Sequence, residues 1–140
     1  MAEYDGFVAS YYNEIIMAEA DRRRVNAFVF SDEKSYEDTY SLKMLPGETI
    51  EIWYGCDAGD VTISVYVWAS EHATNCRMKV IDPDTQEVMG EDVNESTETW
   101  EQLSVNFTAE KKVYKVILGN YTAGSYVAGD KKPCYFDKLE

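Results

Sequence analysis

No stretch of this 140-residue chain approaches the roughly 20 consecutive apolar residues of a membrane helix, so a helical span is excluded. Basic residues are scarce: 13 against 26 acidic ones, a net charge of −13. The only dense basic run is Arg22-Arg23-Arg24, with Lys111-Lys112 and Lys131-Lys132 as scattered pairs. A nucleic-acid binder needs a basic stripe to displace counterions from phosphates, so neither nucleic acid nor an anionic membrane is an expected partner. Acidity of this size favours solubility, or a basic or cation-bridged partner surface. One histidine, His72, cannot build a His-rich metal site, and its setting in Ser70–Thr74 predicts a plain surface loop. No cysteine pair has zinc spacing. No serine or cysteine sits in a nucleophile elbow, and no glycine-rich phosphate loop precedes a helix. Three cysteines (Cys56, Cys76, Cys134) leave one unpaired whatever bridge forms. The start, Met1-Ala2-Glu3-Tyr4-Asp5, lacks the basic-then-apolar layout of a signal peptide. The expectation is therefore cytoplasmic synthesis with all three thiols reduced. The sequons at Asn94, Asn106 and Asn120 matter only in a glycosylating secretory pathway.

What is present is apolar and aromatic. Hydrophobic residues make up 45% of the chain, and eleven tyrosines and three tryptophans stand among them, which argues for a folded core rather than disorder. The length suits one domain. Residues 4–24 differ from the rest: Phe7, Tyr11 and Ile15, flanked by Val8, Tyr12 and Ile16, recur at helical spacing. Residues 1–24 are expected to form either an amphipathic helix ending near the arginines or an extended arm. From Val25 onward the period is two. Val25, Ala27 and Val29 alternate, then Tyr40, Leu42 and Met44, then Ile50, Ile52 and Tyr54, then Val61, Ile63, Val65 and Val67. Further strands are expected at Cys76–Ile81, Glu87–Val93, Leu103–Thr108, Val113–Leu118 and Pro133–Leu139. Nine short strands with turn-rich joints predict an all-β, antiparallel two-sheet β-sandwich (jelly roll) over 25–140. Pro46-Gly47 and Asp82-Pro83-Asp84-Thr85 carry turn chemistry. The one long irregular stretch, Gly119 to Lys132, is of a length that is usually functional or mobile.

The second half carries a family pattern. Trp100-Glu101-Gln102-Leu103-Ser104-Val105-Asn106-Phe107-Thr108-Ala109 resembles the "W-x-x-L-S-x-x-F-T-A" strand of jelly-roll carbohydrate-binding modules of the galactose-binding-like class. Val113–Asn120 resembles the strand after it, and Cys134–Leu139 the closing "Y-F-D-D-V" strand. Upstream, Ser41–Met44 through Pro46-Gly47-Glu48-Thr49 resembles the early strand and its "P-G-x-x" turn. The resemblance covers roughly Val25 to Glu140 and implies a fold, not one ligand. In such modules the second aspartate of the closing motif often helps a structural calcium. That position is Lys138 here, which leaves Asp137 as the remaining metal candidate. Fold likeness alone does not transfer sugar binding.

Among individual residues the aromatics are the most informative. If the turn at 57–60 makes a hairpin, Trp53 faces Ser64 and lies diagonal to Tyr66. Trp53, Tyr66 and Trp68 then form one aromatic patch on the outer side, beside Thr49, Glu51 and Thr62. Three readings of that patch stay open: cover by the chain's own N-terminal segment or a loop, a protein–protein interface, or a sugar-stacking platform. Tyr121 and Tyr126, on the glycine-rich loop, are the other ligand candidates. Trp100 is expected in the core, and Asp57, Asp60 and Asp130 as turn residues. A sandwich of this size has little room for a cleft with two carboxylates roughly 5–10 Å apart, so no enzymatic role is expected. Two functions remain. One is a structural or attachment component of a larger assembly, such as a virion decoration, tail or fibre protein, with other protein subunits as partners. The other is a carbohydrate-binding module recognising a glycan, extracellular as part of a longer protein. An arm over 1–24, an adhesion-type fold and reduced thiols favour the first.

Overall fold

Alternating side chains become nine strands among the residues that the computed structural model describes, 29–31, 33, 34, 36, 41–124 and 129–140. They are β1 (Val29–Ser31), β2 (Ser41–Met44), β3 (Thr49–Cys56), β4 (Gly59–Ala69), β5 (Cys76–Ile81), β6 (Val88–Val93), β7 (Trp100–Ala109), β8 (Lys112–Asn120) and β9 (Cys134–Asp137). No helix occurs among these residues, and none is long and apolar enough to cross a membrane. The expected helix or arm over 1–24 lies outside them.

The strands form a five-stranded sheet, β1-β2-β9-β4-β7, and a four-stranded sheet, β3-β8-β5-β6, antiparallel throughout. This is the all-β antiparallel sandwich that period-two patterning implies. Alternate residues of the central strands enter the core. Ile63, Val65 and Val67 of β4, Leu103 and Val105 of β7, and Leu42 and Phe136 come from one sheet. Ile50, Ile52, Met78, Val80, Tyr114, Val116 and Leu118 come from the other.

Polar atoms inside this core are tied down, as burial requires. Tyr114, 1% exposed, keeps its hydroxyl as acceptor for Glu110 N at 2.9 Å. Buried Asn120, at the end of β8, donates Nδ2 to Met44 O (3.1 Å) and Lys132 O (2.8 Å), while its Oδ1 accepts Thr122 N (3.1 Å). One side chain thus fastens the four-stranded sheet to β2 and to the approach to β9. At another edge Asp92 of β6 accepts Ser104 N of β7 (3.0 Å), closing one side of the sandwich.

The turns follow their residues. Pro46 presets φ and Gly47 adopts φ +91°, the type II pattern, with Glu48 N donating to Leu45 O at 3.0 Å. Asp82 Oδ1 accepts Asp84 N (2.9 Å), the Asx arrangement its sequence predicts at the β5–β6 joint. That joint is clamped by Lys112, whose Nζ reaches both oxygens of Asp82 (2.7 and 2.8 Å) and Asp84 Oδ2 (3.0 Å).

Candidate functional site

The expected hairpin at 57–60 is not formed. Asp57 and Ala58 instead carry the chain from the four-stranded sheet to the five-stranded one. Trp53 pairs with Lys115 of β8, while Ser64 pairs with Ser104 of β7 and Tyr66 with Gln102 and Asp137. Trp53 therefore lies on one outer face of the sandwich, and Tyr66 and Trp68 on the opposite one. The reason is topological: a two-residue link serves as a hairpin or as an arch between sheets, and alternation within a strand does not distinguish them.

The outer face of the five-stranded sheet carries its own cover. Tyr36 stacks on Tyr66 with ring centroids 3.7 Å apart and planes 10° off parallel, and meets Trp100 edge-on at 5.8 Å. Lys34 Nζ sits 4.5 Å above the Trp68 ring. Glu33 accepts the Tyr135 hydroxyl at 2.7 Å and Lys43 Nζ at 2.8 Å, and these two contacts pull its pKa down. Asp137, wholly buried, accepts Tyr36 N with one oxygen (2.8 Å) and Lys138 N with the other (2.8 Å). Tyr66 and Trp68 are thus half-buried, with Glu33, Lys34 and Tyr36 against them among the described residues. Trp100, expected in the core, stands half-buried on this outer face because it opens β7 directly opposite Trp68.

The four-stranded sheet presents the other face. Its register places side chains in rows that cross all four strands. One row is Trp53, Lys115, Ile81 and Val88; the next is Glu51, Ile117, Lys79 and Glu91; the third is Thr49, Gly119, Arg77 and Val93. Trp53 is 55% exposed, the most exposed large apolar side chain among the described residues. Gly119 leaves a seat in the third row. A Cβ there would lie 2.8 Å from Thr49 Cγ2 and 2.9 Å from Tyr121 Cε2, so the Tyr121 ring lies over the glycine. Lys79 Nζ stands 5.1 Å from the centre of that ring. Burial raises the Tyr121 phenol above its ordinary pKa, so it stays a neutral hydrogen-bonding group. Arg77 reaches Glu91 at 3.2 Å and Lys115 reaches Glu51 at 3.6 Å.

Of the five aromatic candidates, then, Trp53 and Tyr121 share a face, Tyr66 and Trp68 share the opposite one, and Tyr126 lies outside the described residues. Lys115, the register partner of Trp53, and Arg77, Lys79 and Ile117, which share its face, escaped the sequence reading. Their alternation was visible, but only pairing places them on the face of Trp53.

Calcium takes six to eight oxygen ligands. Both Asp137 oxygens are occupied by backbone N–H groups, and no cluster of three metal-ligating side chains occurs among the described residues. Asp137 pins the covering segment through Tyr36 N. His72 is well exposed beside Glu71, 3.8 Å away, as a surface loop residue. The three cysteines are unbridged. Burial, then contact with Cys76, holds the Cys134 thiol well above its ordinary pKa.

No family model matches the chain, and no curated protein matches it. Solved structures do. A family 16 carbohydrate-binding module aligns with a TM-score of 0.54 at 14% identity over 81% of this chain and 83% of its own. The module TmCBM61, solved in complex with β-1,4-galactotriose, aligns with a TM-score of 0.56 at 12% identity over 81% and 80%. The C-terminal family 6 module of the marine laminarinase LamC from Zobellia galactanivorans gives 0.54 at 15% identity over 79% and 85%. At such identities the likeness is one of fold, and this chain has the β-sandwich fold of carbohydrate-binding modules.

Proposed function

We propose that this domain is a non-catalytic glycan-binding module whose contact face is the outer side of the four-stranded sheet, centred on Trp53. The observation that carries the reading is the exposure of Trp53 in a frame of apolar and hydrogen-bonding side chains. An indole has a flat π-face that accepts the C–H-lined face of a pyranose, and it contributes large contact area at little entropic cost. Roughly half of its ~250 Å² left open, at ~25 cal/mol per Å², gives about 3 kcal/mol on full burial. Glu51 and Lys115 stand beside it, and Lys79 and Thr49 lie farther along the same face, about 12–14 Å away at the backbone, as donors and acceptors for sugar hydroxyls. A fold neighbour solved with galactotriose supports the same chemistry.

The proposed non-catalytic role fits the carboxylates of this face. Glu51 and Glu91 are the carboxylates of this face, and three strand spacings separate them, about 14 Å at the backbone. Each is engaged by a cation. Glycoside hydrolysis needs a pair roughly 5–10 Å apart.

Trp53→Ala is the test. Loss of a central aromatic anchor costs about 2 kcal/mol or more, so affinity for the cognate polysaccharide should fall about thirty-fold in affinity electrophoresis or calorimetry. Thermal stability should hold, since exposed substitutions cost about 0.5 kcal/mol or less. Unchanged retention on every glycan that the wild type binds would sink the proposal. Loss of self-association or of a protein partner in the same variant would instead assign the face to subunit assembly, the structural reading.

A further inference from the structure

We infer that the saccharide taken at this face is acidic, carrying carboxylates or sulfate esters, with Lys79 as the group that pairs with its charge; this rests on the glycan-binding reading of the Trp53 face. The chain as a whole has twice as many acidic as basic residues and a net charge of −13. Its outer four-stranded face reverses that balance. The two rows beyond Trp53 and Lys115 hold Arg77 and Lys79 against Glu51 and Glu91, and Lys115 makes the face net positive.

The cations are not equivalent. Arg77 is held by Glu91 at 3.2 Å and by Asn75 at 2.7 Å, and Lys115 leans to Glu51 at 3.6 Å. Lys79, in the middle row, has no carboxylate partner among the described residues. Its Nζ faces the Tyr121 ring, 5.1 Å from the centre, and that ring is held in place over Gly119. An ammonium beside an aromatic face keeps a favourable contact without losing its charge, so it remains available to an anion.

The spacing suits an oligosaccharide. Lys79 lies two strands from Trp53 and one row along, about 12 Å at the backbone. Both side chains are long and extend over the same surface. A ring stacked on Trp53 therefore sets the acidic group of a neighbouring ring near Lys79. The net charge of −13 repels a polyanion at long range and is screened by salt, so ionic strength is a poor readout. Selectivity between matched ligands is the informative one.

The experiment uses short oligosaccharides of galacturonate, glucuronate and mannuronate, each beside its carboxyl-reduced neutral form, and sulfated galactan fragments beside their desulfated form. The expected result is at least one pair in which the acidic member binds about five-fold tighter or more. Lys79→Gln should collapse that ratio towards one, and Lys79→Arg should restore it. Trp53→Ala should instead weaken both members of the pair together. The uronate and sulfate arms identify which acid is read. Equal or tighter binding of the neutral member in every pair overturns the inference while leaving the Trp53 reading intact, as does an acidic preference that Lys79→Gln leaves unchanged. Absence of binding by every acidic and neutral member overturns both.

Discussion

Replacing Asn120 with alanine removes a side chain that hydrogen-bonds β8 to β2 and to the chain entering β9. Asn120 is 0% exposed and makes three hydrogen bonds, two as donor and one as acceptor. Without it, Met44 O and Thr122 N lose partners at buried positions, whereas Lys132 O is near enough to the surface for water to replace its bond. Each orphaned buried group costs roughly 1–3 kcal/mol, so the two together cost about 3 kcal/mol. An unfolding entropy of about 2.1 cal/mol/K per residue, taken over the whole chain, converts this to a fall in Tm of about 10 °C. Differential scanning calorimetry measures that fall directly, and guanidinium titration should show a lower midpoint with the slope unchanged. Asn106→Ala is the control, because Asn106 bonds only Thr62 on an exposed surface and should cost about 0.5 kcal/mol or less. If Asn120→Ala lowers Tm by under about 3 °C, or no more than the control, the buried amide does not fasten the two sheets.

Two further outcomes follow from ionisable groups. Asp82 is held below the usual carboxylate range, first by its hydrogen bonds from Lys112. A depressed folded pKa contributes stability above the unfolded value of about 3.9, and that stability is lost as pH falls through the folded value. The clamp should therefore weaken below about pH 4, and Lys112→Gln should flatten that part of a Tm-against-pH profile. Glu33, also lowered, adds to the same slope. An acid limb identical in Lys112→Gln would refute the assignment. For the thiols, Cys76 and Cys134 are fully buried and should resist alkylation until the protein unfolds, whereas Cys56 is partly accessible. All three should titrate in denaturant without reductant, and a count of one would mean a disulfide.

The strands were legible because burying one face imposes a period of two. The valines of β4 and the inward residues of β7 and β8 could hardly point elsewhere. Sheet membership was not legible. Trp53 and Tyr66 both stand on outward positions, and nothing in Asp57-Ala58 says whether the next strand pairs with β3 or crosses the sandwich. Two aromatics expected together therefore landed on opposite faces. Gly119 invited a similar error. A glycine next to a loop looks like the end of a strand, yet β8 runs through Asn120 and the glycine makes room for the Tyr121 ring. The covering role of Tyr36 was invisible for another reason: its isolated aromatic side chain, between charged and small residues, carries no periodic signal.

The proposed placing of the ligand at Trp53, rather than at the more crowded aromatic cluster, rests on the difference between the two outer faces. Among the described residues Tyr66, Trp68, Trp100 and Tyr135 form one aromatic cluster, which holds two of the residues that the sequence reading grouped with Trp53. Their faces are already taken. Tyr36 occupies Tyr66 in the parallel, offset-tolerant manner that a flat ring adopts on another, and Lys34 caps Trp68. Displacing that cover would break the Tyr36 N–Asp137 hydrogen bond at a wholly buried carboxylate, at roughly 1–3 kcal/mol for a bond to a charged group. A ligand stacking on Tyr66 would regain little beyond the contact it removed. A ligand stacking on Trp53 gains the exposed indole area, and no described residue stacks on that ring. Any contribution of the Tyr66 face to binding would have to exceed that deficit, which makes Tyr66→Ala the decisive complement to Trp53→Ala. It should lower stability by releasing Tyr36 and leave glycan affinity, measured well below its Tm, within about two-fold of wild type. A thirty-fold loss of affinity with unchanged Tm would move the site to the opposite face.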